Sequence, residues 1–174
     1  HVPRMCFINK MDRMGADFFA AEESIRKRLD ATTAVLQLPI GSEGDFAGVI
    51  DLVNMEALVW HDEELGAKFD HTEIPAELAD QAAEYHAALI DVLSEYDENL
   101  LEKFVGEEEI TPDDIRAAIR EATLHHGVVP VMLGSAFKNK GVQPLLDAVV
   151  DYLPSPTDIP AIKGTDPKGG DEIE

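Results

Sequence analysis

The sequence contains few of the residues and segments that mark several classes of protein. It has a single cysteine, Cys6, which excludes an internal disulfide framework and fits a reducing compartment. No apolar run reaches the roughly 18 residues that a membrane-spanning helix needs. No basic, then apolar, then small-residue opening marks a secretory signal. We therefore expect no membrane partner and a cytoplasmic location.

Basic residues are also scarce. The 174 residues include 14 Lys and Arg against 35 Asp and Glu, which gives a formal net charge of −21. A pI near 4.4 argues against a chain that wraps nucleic acid through its own overall charge. Because 45% of the residues are hydrophobic, the chain can still bury a sizeable core, and its length suits one domain or one and a fraction.

The acidic excess is concentrated in the middle of the chain. Residues 1–29 hold 6 basic and 4 acidic groups, a net charge of +2, and residues 125–174 hold 4 and 7, a net charge of −3. Residues 30–124 hold 4 basic and 24 acidic groups, a net charge of −20. These sharp edges predict an acidic insert, residues 30–124, between flanks that belong together, although a plain solvated surface would carry the same charges.

The two ends of the chain indicate that it is part of a longer polypeptide. The sequence opens with His1-Val2-Pro3, directly inside an apolar stretch, rather than with Met. Residues 157–174 have the Pro, Gly and charged composition of a linker. We expect this linker to lead toward a further domain.

Two short apolar runs, residues 5–8 and 128–133, have the pattern of strands buried on both faces. Each is followed by a predicted helix, residues 17–29 and 142–153, and Pro154 ends the second one. The apolar stripe predicted for that second helix consists of Val142, Leu145, Leu146, Val149 and Val150. The alternation of strand and helix predicts an α/β fold with a parallel sheet.

The acidic middle predicts its own set of strands and helices. These are β-rich segments at 34–40, 46–53 and 56–60, a long amphipathic helix at 75–96, a short helix at 99–105 and a further helix from 112. Gly106 is predicted to end the short helix as a left-handed cap, and Thr111-Pro112 to open the next one as cap and first-turn proline. We therefore predict a small α+β module inserted into the α/β sheet.

The sharpest chemical signal is the run Asn9-Lys10-Met11-Asp12, directly after the first predicted strand. Open parallel sheets bind ligands at the carboxyl ends of their strands. An ionised carboxylate only accepts hydrogen bonds, and guanine offers two adjacent donors, its ring N–H and its exocyclic amine, a pair that adenine lacks. Asp12 could therefore select guanine. Asn9 could reach a ring acceptor or tie neighbouring loops together, and the Lys10 stem could lie across the base plane.

A second polar run, Gly134-Ser135-Ala136-Phe137-Lys138, follows the other predicted strand. The small residue Ala136 would let a backbone N–H approach the guanine oxygen. Ser135 could donate a hydrogen bond to the Asp12 carboxylate and hold its orientation. A polar turn after one strand is common, but two such runs at equivalent strand ends predict recognition of a nucleotide base.

Longer stretches around these runs resemble the elongation factor G family of bacterial translational GTPases. Residues 9–18 look like its guanine-specificity segment, residues 134–143 like its last base-binding motif, and residues 151–156 like the exit of its GTPase domain. Residues 37–41 and 74–78 resemble the subdomain inserted before the last strand of that domain, so the resemblance covers essentially the whole chain. Met14 departs from the small polar residue expected there, outside the base contacts.

The resemblance implies a fold and a site. The fold would be α/β, the C-terminal part of a P-loop GTPase-type parallel sheet carrying an inserted small α+β subdomain. Its parts would be residues 1–29 and 125–156 from the GTPase domain, residues 30–124 as the insert and residues 157–174 as the linker. The site would bind GTP or GDP through Asn9, Lys10, Asp12, Ser135 and Ala136. The implied partners are the ribosome, on which the factor drives translocation, and, as a hypothesis for the insert, the acidic ribosomal stalk protein.

The sequence contains no G-x-x-x-x-G-K-[ST] phosphate loop. A GTPase uses such a loop, a hydroxyl on Mg²⁺ and switch loops to act on the phosphates. The Asp-x-x-Gly matches at Asp12 and Asp45 lie at or after the base run, whereas the phosphate-sensing version should precede it. We therefore expect no catalytic and no metal-binding residue here. The Mg²⁺ site and GTP hydrolysis would belong to the rest of the parent protein, and this chain alone should be inactive.

Two alternatives stay open. A ribosome-protection or release-factor GTPase would have a similar build, although Arg13 and the continuation Gly15-Ala16-Asp17-Phe18 favour the elongation factor. A purely acidic interaction module, which docks a basic or amphipathic partner without enzymatic activity, would explain the charge of residues 30–124.

Overall fold

The computed structural model describes residues 2–61, 66 and 68–158, together with the backbone of residues 164–165 and 172–173. In chain order the elements are β1 (Cys6–Ile8), α1 (Phe18–Leu29), β2 (Thr33–Val35), β3 (Gln37–Ile40), β4 (Gly48–Asp51), β5 (Glu56–Trp60), β6 (Phe69–Thr72), α2 (Ala79–Ser94), α3 (Glu98–Val105), α4 (Pro112–Glu121), β7 (Val129–Leu133), α5 (Val142–Tyr152), β8 (Gly164–Thr165) and β9 (Glu172–Ile173). The described residues also include 3₁₀ turns at Glu43–Asp45, Ala76–Leu78 and Ala136–Lys138 and a π-helical turn at Ala122–His126.

Strands β1, β7 and β2 form a parallel sheet in that order. β7 is central, because its Val131 lies opposite Cys6 of β1 and opposite Val35 of β2. All of β7 is buried, as its apolar run predicts. β1 is only half-buried, so the prediction of a strand buried on both faces is wrong for it. The reason is its place at the edge of the sheet, with β7 as its one neighbour among the described strands.

A four-stranded antiparallel sheet, in the order β3-β4-β5-β6, builds the next layer. Leu36 joins the two sheets. Its N–H donates to Val131 O of the parallel sheet at 3.0 Å, and its carbonyl accepts from Leu52 N, next to β4, at 3.0 Å. Segment 34–40, predicted as one β-rich stretch, is therefore divided between two sheets. Strand β6 was not predicted, because its polar, mostly exposed residues lack an apolar alternation.

Most helices begin within a residue of the predicted start, but α2 is Ala79–Ser94 where residues 75–96 were predicted, with a 3₁₀ turn at Ala76–Leu78 before it. Thr111 caps α4 by accepting from Asp114 N, and the Asp114 side chain in turn accepts from Thr111 N, which makes a capping box. Gly106, predicted as a left-handed cap of α3, has φ −76° and still donates to Glu102 O. The prediction is wrong because helical hydrogen bonding continues through Gly106, and the left-handed residue is Glu107, with φ 52°.

Helix α5 presents a different face to the core from the predicted stripe. Leu146, Val149 and Val150 are exposed, at 59%, 40% and 77% respectively. The buried residues of the helix are Ala148 and Tyr152. The apolar pattern therefore located the helix correctly but assigned its buried face wrongly, because apolar spacing alone does not reveal which stripe meets a neighbouring element.

The described architecture confirms the predicted fold class, an α/β fold in which a parallel sheet carries an additional antiparallel layer and helices. The boundaries of the insert stay a prediction, and β2, inside the range 30–124, pairs with β7 of the flanking sheet. The predicted linker, 157–174, lies mostly outside the described residues, except for Thr157, Asp158 and the short pairing of β8 with β9. In the described part of the chain, no helix is both long and apolar enough to cross a membrane.

Candidate functional site

The two polar runs lie side by side at one edge of the parallel sheet. Because β1 and β7 are adjacent and parallel, the loops that leave their carboxyl ends emerge together. A backbone hydrogen bond from Met11 N to Gly134 O, 3.1 Å long, joins the loops at their base. We refer to residues 9–15 as the first base loop and residues 134–140 as the second base loop.

Asp12 and Ser135 form the expected contact between these loops. The Ser135 hydroxyl, which is 1% exposed as a residue, donates to Asp12 Oδ1 at 2.7 Å. This hydrogen bond is the main cause that lowers the pKa of Asp12 from its ordinary value of 3.8, and the charges of Lys138 and Arg13 act in the same direction. Asp12 is thus an oriented, ionised acceptor at the sheet edge, the state needed to receive two adjacent N–H donors.

Asn9 ties the two base loops together. Its Oδ1 accepts from Lys10 N at 2.8 Å and from Ala136 N at 3.0 Å. The Ala136 N–H, predicted to approach a guanine oxygen, is therefore engaged by Asn9 in this structure. A base that binds there has to share or replace that hydrogen bond. The sequence allowed two roles for Asn9, reaching a ring acceptor of the base or tying neighbouring loops together. The structure shows the second.

Lys10 is exposed and adopts a left-handed conformation with φ 66°. Its carbonyl accepts from Arg13 N at 3.0 Å, so the first base loop turns tightly around Asp12. Positive φ in a non-glycine residue is uncommon and is enriched at binding sites. The backbone of Lys10 is thus held in an unusual conformation two residues before Asp12.

Gly134 and Lys140 support the second base loop, a role that the sequence did not predict for either residue. Ser135 N donates to Lys140 O at 2.9 Å, and Lys140 N donates to Ser135 O at 3.1 Å. A Cβ on Gly134 would lie 2.3 Å from Lys140 O and 2.8 Å from the Phe7 ring, so a residue with a side chain does not fit. The glycine itself, at the end of a predicted strand, is the sequence feature that could have indicated this close approach of two backbone segments.

Two large side chains on these loops are strongly exposed. Met14 is 93% exposed and Phe137 is 92% exposed. A hollow of about 290 Å³ beside the first base loop is lined by Asn9 and Lys10 among others, but not by Asp12, Ser135 or Ala136. The structure thus brings the five predicted contact residues into two adjoining loops without enclosing them in a deep cavity.

No cluster of metal-ligating side chains occurs in the described part of the chain. His125 and His126 end the π-helical turn. The Nε2 atom of His125 lies 3.8 Å from Glu121 Oε2, and that of His126 lies 3.8 Å from Glu121 Oε1. At the sheet edge, the two base loops carry the Asp12 carboxylate, the Asn9 amide and the Ala136 N–H, all already hydrogen-bonded within the protein.

Comparison with known proteins matches residues 1–155 to the family described as the elongation factor Tu GTP binding domain. Among solved structures, a crystal structure of a protein from Thermus thermophilus has 31% sequence identity and a TM-score of 0.77. The match covers 90% of this chain and 23% of the Thermus chain. The chain therefore spans about a quarter of the length of the protein that it resembles.

Proposed function

This chain belongs to the elongation factor Tu GTP-binding domain family, and from that premise we propose that it supplies guanine-base recognition to a translational GTPase. The observation that carries the proposal is the hydrogen bond from Ser135 to Asp12. It orients an ionised carboxylate where the loops of two parallel strands meet. Such a carboxylate accepts hydrogen bonds from the ring N–H and the exocyclic amine of guanine. Adenine offers no such pair of adjacent donors.

The proposed roles of the other contacts follow from their positions. Asn9 and Ala136 already share a hydrogen bond, so a guanine oxygen would take the Ala136 N–H and leave Asn9 to face the ring. The Lys10 stem would cover one face of the base. These residues fit the base and sugar-proximal end of GTP or GDP. Phosphate and Mg²⁺ contacts would come from other parts of the parent protein, where the nucleotide's own phosphoryl chemistry is carried out.

Within the family, we assign the parent protein to elongation factor G, which drives translocation on the ribosome in the cytoplasm. Support comes from residues 9–18 and 134–143, which resemble the base-binding motifs of that factor over ten residues each. The alternative is a ribosome-protection or release-factor GTPase of similar build. Arg13 and the following residues 15–18 favour the elongation factor.

A titration followed by NMR tests base recognition in the chain as it stands. We expect GMP to shift the amide signals of Asp12, Ser135 and Ala136 at millimolar concentrations, with the largest change at Ala136, whose N–H exchanges its acceptor. AMP at the same concentrations should leave these signals in place. Equal responses to GMP and AMP would contradict the proposed function.

A separate proposal concerns the strength of binding. The sequence contains no glycine-rich phosphate loop, and we propose that these 174 residues neither hydrolyse GTP nor bind it tightly. Calorimetry with GDP should detect no micromolar binding. Micromolar affinity would show that phosphate contacts exist elsewhere in the chain and would overturn this proposal.

A second candidate function, partner docking, concerns the insert. Residues 30–124 carry a net charge of −20, and α3 exposes Leu101, Phe104 and Val105 beside its acidic groups. We propose, as a hypothesis, that this module contacts the ribosomal stalk protein. Because both proteins are acidic, their net charges repel, so the exposed apolar residues of α3 would have to make the contact. Association of the purified stalk protein with the chain should therefore strengthen as salt screens the repulsion. Absence of association at both low and high salt would contradict this hypothesis.

A further inference from the structure

Residues 41–46, in the loop between β3 and β4, contact both base loops, although this loop belongs to the antiparallel sheet and not to the sheet that bears the site. We propose that this loop positions the base-recognition residues and that Glu43 is a positioning residue for guanine selectivity. The inference rests on the proposed function of the site. It assigns to the acidic insert a task in base recognition that is separate from any docking role.

Glu43 holds the first base loop at two points. Its backbone N–H donates to Met11 O at 3.0 Å, and its Oε1 accepts from Gly15 N at 2.7 Å. Met11 and Gly15 lie on either side of Asp12, so one residue fixes both ends of the segment that carries the carboxylate. The bond from an N–H to an ionised carboxylate is short and stronger than one between neutral groups.

Lys140 connects the same loop to the second base loop. Its Nζ donates to Phe46 O at 3.0 Å, and both residues are almost fully buried, at 3% and 1% exposure. Lys140 is also the backbone partner of Ser135, the residue that orients Asp12. Residues 41–46 therefore hold the two loops in one relative position from outside the parallel sheet.

The conformation of the β3–β4 loop is demanding. Glu43 has φ 53°, and Gly41 has φ 76° with so little space that an added Cβ would lie 2.1 Å from Asp45 O. A non-glycine residue in the left-handed region is unfavourable unless its surroundings determine it. Here the surroundings are the two hydrogen bonds to the first base loop. The residue with the unusual positive φ, Glu43, is thus the same residue whose side chain binds Gly15 N.

The test compares Glu43→Ala with three matched variants of the full chain. Glu43→Gln keeps an acceptor for Gly15 N, Glu43→Asp keeps the charge but retracts the carboxylate by one methylene, and Asp45→Ala removes the same charge from the same loop. The first readout is amide hydrogen exchange at Gly15 without nucleotide. The second is the preference for GMP over AMP in the NMR titration.

We expect Glu43→Ala to speed exchange at Gly15 by about tenfold and to lower GMP affinity by about threefold, with a smaller preference over AMP. Glu43→Asp should show part of the same change. Glu43→Gln keeps a neutral, weaker acceptor and should retain most of the protection at Gly15. Asp45→Ala should resemble the unsubstituted chain. Unchanged exchange protection within β7 shows that each variant is folded. Because Glu43 is only half-buried, we expect all four to fold.

The outcomes separate the inference from the proposed function. If the unsubstituted chain prefers GMP and Glu43→Ala prefers it equally, with Gly15 as protected as before, the positioning role is overturned and the proposed function stands. If Asp45→Ala has the same effect as Glu43→Ala, lost charge and not the hydrogen bond is the cause, which also overturns it. If the unsubstituted chain does not distinguish GMP from AMP, the proposed function fails, and selectivity by Glu43 fails with it.

Discussion

At the scale of single residues, the site depends on which atoms of Asp12 and Asn9 are already engaged. Ser135 occupies one oxygen of Asp12, and Ala136 occupies Asn9 Oδ1. The first contact was predictable, because a hydroxyl and a carboxylate on neighbouring strand ends are natural partners. The second was not, since a sequence pattern does not show whether an amide will bind a ligand or another loop.

Replacement of Asp12 by Asn should change the preferred base. The Asn amide donates where the carboxylate accepts, and xanthine carries a carbonyl where guanine carries its exocyclic amine. We expect Asp12→Asn to lower GMP affinity on the order of tenfold and to favour xanthosine monophosphate, because unmatched polar groups are costly. Competition between the two nucleotides measures this, with Asp91→Asn on α2 as the control. An unchanged preference for guanine would rule out the proposed role of Asp12.

Removal of the Ser135 hydroxyl should make Asp12 a weaker acid. The hydrogen bond from Ser135 favours the ionised form of Asp12. Its contribution to the stability of the folded chain is therefore present above pH 3.8 and is lost as pH falls through the lower pKa of the folded state. In Ser135→Ala we expect the pKa of Asp12 to rise toward 3.8. The carboxyl ¹³C shift of Asp12 against pH measures it. The exposed Ser42→Ala is the control, and identical titration curves would exclude Ser135 as the cause.

At the scale of elements, local hydrogen bonding was easier to predict than burial. The capping residue Thr111 acts as its position indicates, because a cap depends on only three or four neighbouring residues. Gly106 and the stripe of α5 were predicted wrongly because each depends on what packs nearby. Strand β6 was missed because it joins an existing sheet edge and needs little apolar character of its own.

The start of α4 should become sensitive to acid through Asp114. This carboxylate accepts from Lys103 Nζ at 2.7 Å and from Thr111 N at 2.9 Å, and these contacts lower its pKa from 3.8 to about 2. Its stabilisation is therefore present above pH 3.8 and is lost as pH falls toward 2.

We expect Asp114→Ala to lower the urea midpoint at neutral pH, with the difference from the unsubstituted chain shrinking as the solution approaches pH 2. Asp113→Ala removes the same charge one residue earlier, where the side chain is 91% exposed and pairs with Arg116, and should have a smaller effect. A difference that is the same at every pH would show that ionisation of Asp114 does not contribute.

At the scale of the whole molecule, the acidic segment and the flanks are less separate than their charges indicate. The strand–helix alternation of the flanks made the parallel sheet predictable. The division of residues 34–40 between two sheets was not, because β2 and β3 form one continuous β-rich stretch with a single residue, Leu36, between them. No local signal marks the residue at which a strand leaves one sheet for another.

This connection predicts the behaviour of residues 30–124 when they are produced alone. They would lose β7, the strand that pairs with β2 and receives the N–H of Leu36. We expect this piece to unfold at a lower temperature, and less cooperatively, than the full chain. Calorimetry or circular dichroism measures the transition. A sharp transition at the same temperature as the full chain would show that the segment is an independent domain.

The hydrogen bond between Asp12 and Ser135 spans 123 positions of the sequence, and the one between Asn9 and Ala136 spans 127. Contacts so distant along the chain form slowly, because the intervening segment must first be brought to a compact form. The hairpins and helices between them are mostly local and can form early. We therefore expect the contacts of base recognition to form late in folding, so that a guanine-dependent signal would report a completed fold.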